Sequence, residues 1–113
     1  ESRSGASLMI HGDIWWANLP QPSGRRPVLI LTRTAALQHR QNVTVAPITR
    51  TLRNIPSEVK LTPADGVKVD CAVSLDELLT IRKVLLDKHI VRLSPGRMGA
   101  VYRALCFALQ LPF

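Results

Sequence analysis

Arg25-Arg26-Pro27-Val28-Leu29-Ile30-Leu31 sets two fixed positive charges at the mouth of a wholly apolar run. Val28 to Leu31 is apolar at every position, so it reads as a strand covered on both faces. Pro27 fixes its own φ and pushes Arg26 toward extended geometry, so the chain enters this strand with Arg26 restrained. A strand covered on both sides needs neighbours and a second layer, and the flanking sequence supplies both.

His11–Leu19 reads as a first strand, opened by Gly12 and Asp13 and ended by Pro20 and Pro22. Pro-Gln-Pro-Ser-Gly at 20–24 is turn chemistry, and residues 34–41, TAALQHRQ, read as a loop. Asn42–Thr49 is β-branched, and Pro47 within it demands an edge position or a bulge. Ser57–Leu61 alternates as a half-exposed strand does, Pro63–Gly66 is a turn, and Val67–Val73 alternates again. Residues 74–88 stay open. Ser74 and Glu77 form a capping-box pattern that starts a helix, while the Leu-Leu-Thr-Ile that follows suits a buried strand. Ser94 is a natural N-cap with Pro95 at the first helical position. Met98, Val101, Tyr102, Leu105, Ala108 and Leu109 then share one helical face, and Pro112 ends the helix. The class is mainly β with a C-terminal helix: a small, strongly bent sheet or partly open barrel closed by that helix.

The 113 residues fit one domain, expected over 9–113, and the 46% apolar content is that of a globular chain. Met9 reads as a natural start, which makes 1–8 a vector-derived remnant or a disordered N-terminus. A net charge of +7 favours a polyanionic partner. Cys71 and Cys106 belong to no paired ligand motif; one disulfide is open to them, and two buried thiols of a cytoplasmic protein are the expectation. No metal or other cofactor is expected. There is no apolar run long enough to span a bilayer and no signal-peptide core.

Three stretches taken together carry a resemblance. GDIWWANL at 12–19, RRPVLIL at 25–31 and VTVAPIT at 43–49 occur in this order with short spacers. VDCAVSLDELLTI at 69–81 and a final helix ending in ALQL follow. This arrangement resembles the MazF/PemK (Kid) toxins of bacterial toxin–antitoxin pairs. The resemblance implies a small SH3-like barrel of the MazF/PemK/CcdB type that forms a homodimer. It implies a ribosome-independent endoribonuclease that cuts single-stranded RNA at short motifs, and a cognate antitoxin that covers the RNA groove with an acidic tail. It carries the family arginine onto Arg26, the family threonine onto Thr49 and an acidic residue onto Asp76, with Glu77 beside it. Two positions depart from the family. The loop before the arginines lacks the Gly-Ser-Glu-Gln of many relatives, and Leu79 stands where arginine is common. The alternatives on this scaffold are a gyrase-binding toxin like CcdB and a passive RNA-binding barrel.

The residue types suit cleavage by the RNA's own 2′-hydroxyl. That reaction needs a base for the 2′-OH, charge on the phosphorane oxygens and a proton for the leaving 5′-oxygen. Arg26 offers a rigid, permanently charged fork to two phosphate oxygens. Thr49 offers a hydroxyl to the same phosphate. Asp76 and Glu77 are the candidate bases. Arg25 and Arg50 are candidate phosphate contacts, Arg25 equally a solvated charge. Trp15 and Trp16 point to opposite faces of a strand. One belongs to the core, and Trp16 is the candidate to stack on a base, worth about 1–3 kcal/mol. His11 and His39 read as surface side chains.

Overall fold

Val28, Leu29 and Ile30 are all fully buried in strand β2, Arg25–Ile30, of the computed structural model, which describes residues 9–112. The expectation for residues 1–8 lies outside the described residues. Around β2 stand β1 (Asp13–Asn18), β3 (Asn42–Thr49), β4 (Glu58–Leu61), β5 (Cys71–Ser74), β6 (Leu79–Arg82) and β7 (Leu86–Arg92). Two α-helices, α1 (Thr34–Leu37) and α2 (Pro95–Leu109), are also present among the described residues. The sheet runs β4-β5-β3-β2-β1-β7 with antiparallel neighbours, and β6 pairs with β3 off this path. The expected class, mainly β with a C-terminal helix, is the observed one.

Alternation along the strands feeds two apolar clusters. Ile14, Leu29, Ala46, Ile48 and Val73 pack with Met98, Val101 and Ala104 of α2. Trp15, Val28, Ile30, Val43 and Val45 pack on the other face, with Leu37 of α1. A strand between two such clusters must be apolar throughout, which is why the 28–31 run is unbroken. Trp15 is the core tryptophan of the pair.

Strand β3 is the spine. One edge pairs with β2, and the other pairs first with β6, then with β5. Between the pairs Val45↔Leu79 and Ile48↔Val73, β3 has Ala46 and Pro47, while the opposing chain has Ser74 to Leu78. That segment bulges away from β3, and Pro47, with no N–H to offer, stands opposite it. The bulge required by Pro47 is therefore present, carried by the partner strand.

This also settles residues 74–88. Leu79–Arg82 is strand, a 3-10 turn follows at Lys83–Leu85, and β7 begins at Leu86. The Ser74–Glu77 pattern starts no helix because Ser74 is already paired with Glu58. Three boundaries differ from the sequence reading. Val67–Asp70 is not strand, because β4 ends at the Leu61↔Cys71 pair and the chain turns away at Pro63–Asp65. Thr34–Leu37 forms one helical turn within the expected loop, and it buries Leu37. On α2, Tyr102 and Leu109 flank the buried stripe rather than joining it, at 46% and 51% exposure, and Ala104 is buried instead. The Tyr102 hydroxyl meets His11 Nε2 at 2.8 Å, while His11 Nδ1 bonds the Leu31 carbonyl at 3.0 Å. His11 is thus a link between α2 and the end of β2.

The turn before β5 is anchored to α2. Asp65 accepts from the Thr62 N–H at 2.9 Å and from Arg97 Nε at 3.1 Å. Burial pushes the Asp65 carboxyl up, but the Thr62 N–H and the Arg97 guanidinium outweigh it and hold it below the usual range. The contact therefore stabilises the fold at neutral pH and disappears as acid protonates Asp65. Gly66, at φ +100°, has to be glycine, since a Cβ there would lie 2.6 Å from Val91 Cγ2.

Candidate active site

The two arginines that open β2 have different surroundings. Arg25 donates to Asp87 and to Asn18 Oδ1 (3.2 Å), and Asn18 Nδ2 donates to the same Asp87 oxygen at 2.8 Å. Its guanidinium also lies 5.0 Å from the Trp16 ring centroid. Hydrogen bonds from Asn18 and Arg25 hold the Asp87 carboxyl below its ordinary range. Arg25 thus ties together the ends of β1, β2 and β7. Arg26, half-buried, makes no hydrogen bond or ion pair with any described residue. Alternation sends it to the opposite face from Arg25.

Thr49 shares that face. The β2–β3 register pairs Val28 with Pro47. Carried two residues on, the same register sets Arg26 abreast of Thr49. The Thr49 hydroxyl accepts the Thr51 N–H at 3.1 Å, which leaves its own proton free to donate. One end of the barrel therefore presents, on one face, a guanidinium with no partner among the described residues and a hydroxyl donor. Both extend strands whose inner residues, Val28–Ile30 and Val45–Ile48, are buried, so the pair is rigidly mounted.

Arg50 and Trp16 belong to the other face. There a cleft of about 300 Å³ is lined by Ile14, Trp16, Pro27, Ile48, Val67 and Cys71, with Arg50 and Lys68 also in its wall. Among these, Lys68 and Cys71 do not stand out in the sequence, because nothing local distinguishes a cleft residue from a strand residue. Burial pushes the Cys71 thiol up, Asp70 and Asp65 reinforce it, and Arg50 opposes it. Cys71 is therefore a neutral wall residue, not a nucleophile. In native protein, a thiol reagent is expected to modify half-exposed Cys106 readily and Cys71 only after denaturation. Equal rates at both thiols in the folded state would contradict this.

Asp76 and Glu77 sit on the bulge opposite Pro47, both exposed. Asp76 accepts from the hydroxyl of buried Ser57, which fixes the bulge to the start of β4. Glu77 has no hydrogen-bond or salt-bridge partner among the described residues. No three His, Cys, Asp or Glu side chains among the described residues converge on a cation site.

The arrangement of open sheet and terminal helix has known counterparts. The family of PemK-like, MazF-like toxins of type II toxin–antitoxin systems matches residues 10–109. The chain belongs to this toxin family. A curated MazF relative, the probable endoribonuclease MazF5 of Mycobacterium tuberculosis, is 37% identical over 106 residues, covering 93% of each chain. The solved M. tuberculosis toxin MazF-mt6 superposes with a TM-score of 0.83 at 37% identity, covering 89% of this chain and 99% of that one. A mycobacterial endoribonuclease in complex with its cognate antitoxin superposes with a TM-score of 0.82 at 28% identity, over 93% and 98% of the two chains. The MazF-type barrel expected from the sequence is therefore the fold observed. These relatives favour the nuclease expectation over the gyrase-binding one.

Proposed function

We propose that this chain is a MazF-type toxin endoribonuclease that cleaves single-stranded RNA at short motifs and is neutralised by a cognate antitoxin. The observation that carries the reading is Arg26, without a hydrogen-bond or ion-pair partner among the described residues, on the same sheet face as the Thr49 hydroxyl, in a chain of net charge +7. In this reading Arg26 clamps two non-bridging oxygens of the scissile phosphate and neutralises the charge that builds on them. Thr49 donates to the same phosphate. The RNA's 2′-hydroxyl attacks phosphorus, its proton passing to Asp76 or Glu77 on the bulge, and the 5′-oxygen leaves as its bond to phosphorus breaks, taking a proton from water. The products are a 2′,3′-cyclic phosphate and a 5′-hydroxyl, and no metal enters these steps. Arg50 and Trp16 serve the flanking nucleotides, Trp16 by stacking. Arg25, held by Asp87, contributes field more than contact. The protein works as a homodimer in the cytoplasm, as one domain over residues 9–113. Its basic surface suits an antitoxin with an acidic tail.

The test is incubation of the purified protein with mixed-sequence single-stranded RNA in EDTA, followed by mapping of both ends. Cleavage at recurring short motifs with cyclic-phosphate and 5′-hydroxyl ends is expected. Intact RNA, or cleavage abolished by chelation alone, would refute the mechanism.

A further inference from the structure

The described carboxylates mostly have partners, and all of those partners lie away from one strongly basic end of the barrel. Asp13 faces Arg92, Glu58 faces Arg53, Asp65 faces Arg97, and Asp87 faces Arg25. From Ile14 to Ser57 the sequence has no Asp or Glu, yet it carries Arg25, Arg26, Arg33, Arg40, Arg50 and Arg53. Where β3 begins, this acid-free segment meets β6. There Arg40, Gln41, Asn42 and Arg82 line a basin of about 420 Å³. An adjoining basin of about 360 Å³ adds Gln38, His39, Lys83 and Val84. No carboxylate lines either one.

The floor is built rather than loose. Asn42 pairs with Arg82 across the β3–β6 ladder, and the Lys83 N–H donates to the Gln41 carbonyl at 2.7 Å. The Lys83 ammonium is occupied by the Leu37 carbonyl. The Arg40 and Arg82 guanidinia are exposed and have no hydrogen-bond or ion-pair partner among the described residues. Two fixed like charges on one polar basin, flanked by the Gln41 and Asn42 amides, form a set of donors with no carboxylate to neutralise them.

We propose that this basin is a second phosphate-binding site, holding the backbone of the single-stranded RNA several nucleotides away from the bond that Arg26 acts on. The inference rests on the endoribonuclease reading. The basin lies at the opposite end of β3 from Thr49, roughly 23 Å along the strand at about 3.3 Å per residue. A phosphodiester fits it better than an acidic protein segment. The side chains that line it are charged or polar, with Val84, 77% exposed, as the one apolar residue among them. An amphipathic tail would instead find apolar contact in the Trp16 cleft. Base identity plays no part in the contact, so the site adds affinity for long RNA without changing the cut motif.

The experiment compares the wild-type protein with Arg40→Gln/Arg82→Gln on two RNAs that share one mapped cut site. One RNA barely spans the site, and the other extends well beyond it on both sides. For the long RNA, KM is expected to rise about tenfold, as removal of two solvent-exposed charge contacts to phosphate implies. The log–log slope of its binding against salt should flatten by about 0.7 for each phosphate that the variant no longer holds. For the short RNA, KM should hold, and kcat should hold for both. Equal KM changes on both RNAs, or none on either, would overturn the proposal. So would weakened antitoxin binding with unchanged RNA kinetics, which would assign the basin to an acidic protein segment. If neither protein cuts either RNA, the endoribonuclease reading fails. Binding of the uncut long RNA, measured by titration, then still decides whether Arg40 and Arg82 hold its backbone.

Discussion

Arg26→Ala is expected to slow single-turnover RNA cleavage roughly a hundred- to a thousandfold, the about 3–4 kcal/mol that one well-aimed donor contributes to a transition state. The melting temperature should barely move. Arg26 makes no ion pair or hydrogen bond with any described residue, and a substitution at such a position costs within about 0.5 kcal/mol of stability. Arg26→Lys should recover only part of the rate, because an ammonium is a point charge and not a two-pronged fork. Arg25→Ala is the control. It breaks the contacts to Asp87, Asn18 and Trp16 at the barrel end, so it should affect rate far less than Arg26→Ala. Equal rate losses at the two positions would mean that the division of labour between them is wrong. A large drop in stability at Arg26 would mean that its role is structural.

The same two residues show what a sequence discloses. The Val28–Ile30 strand was legible because burial on both faces leaves no position for a polar side chain. Pro47 was legible as a bulge signal because a missing N–H has to be placed somewhere, and the bulge of residues 74–78 answers it. The helix-or-strand question at that bulge was not legible. Ser74-x-x-Glu77 is a local pattern, and it was overridden by a distant partner, Glu58. Arg25 and Arg26 are indistinguishable as text. They separate only when Asp87, 62 residues away, closes on one of them. The basin of Arg40 and Arg82 was hidden for the same reason, since its two halves meet only through the β3–β6 ladder. Helical periodicity located α2 and most of its buried face, but it could not reveal that Tyr102 leaves that face to meet His11.

Asp13 is the clearest case of a residue whose weight the sequence understated, and its replacement should destabilise the fold strongly for a single polar change. Along the chain, Gly12-Asp13 merely opens a strand. In the fold, the Asp13 side chain is fully buried, with Oδ2 accepting the Ile10 N–H at 3.0 Å and Oδ1 accepting Arg92 Nε at 2.9 Å. His89 Nε2 lies 3.5 Å from the same Oδ1. The backbone of Gly12 is engaged as well, donating to the Ile30 carbonyl at 2.9 Å and accepting the Leu93 N–H at 3.1 Å. The dipeptide therefore laces the start of β1 to the ends of β2 and β7. Asp13→Ala strands the Ile10 N–H, at about 1–3 kcal/mol, and removes a charge-assisted bond to Arg92. That second effect is small, under about 1 kcal/mol, because the Arg92 side chain is 54% exposed and water takes over its solvation. The expected sum is about 1–4 kcal/mol, read as a lower urea midpoint at constant slope. Asp13→Asn keeps an acceptor for one of the two donors and should fall between Ala and wild type. Arg92→Ala leaves Asp13 buried with the Ile10 N–H and a nearby imidazole, so the double variant should cost less than the two single changes added together. Strict additivity would mean that the Asp13–Arg92 contact carries nothing and that the backbone bond from Ile10 alone keeps this carboxylate inside the barrel.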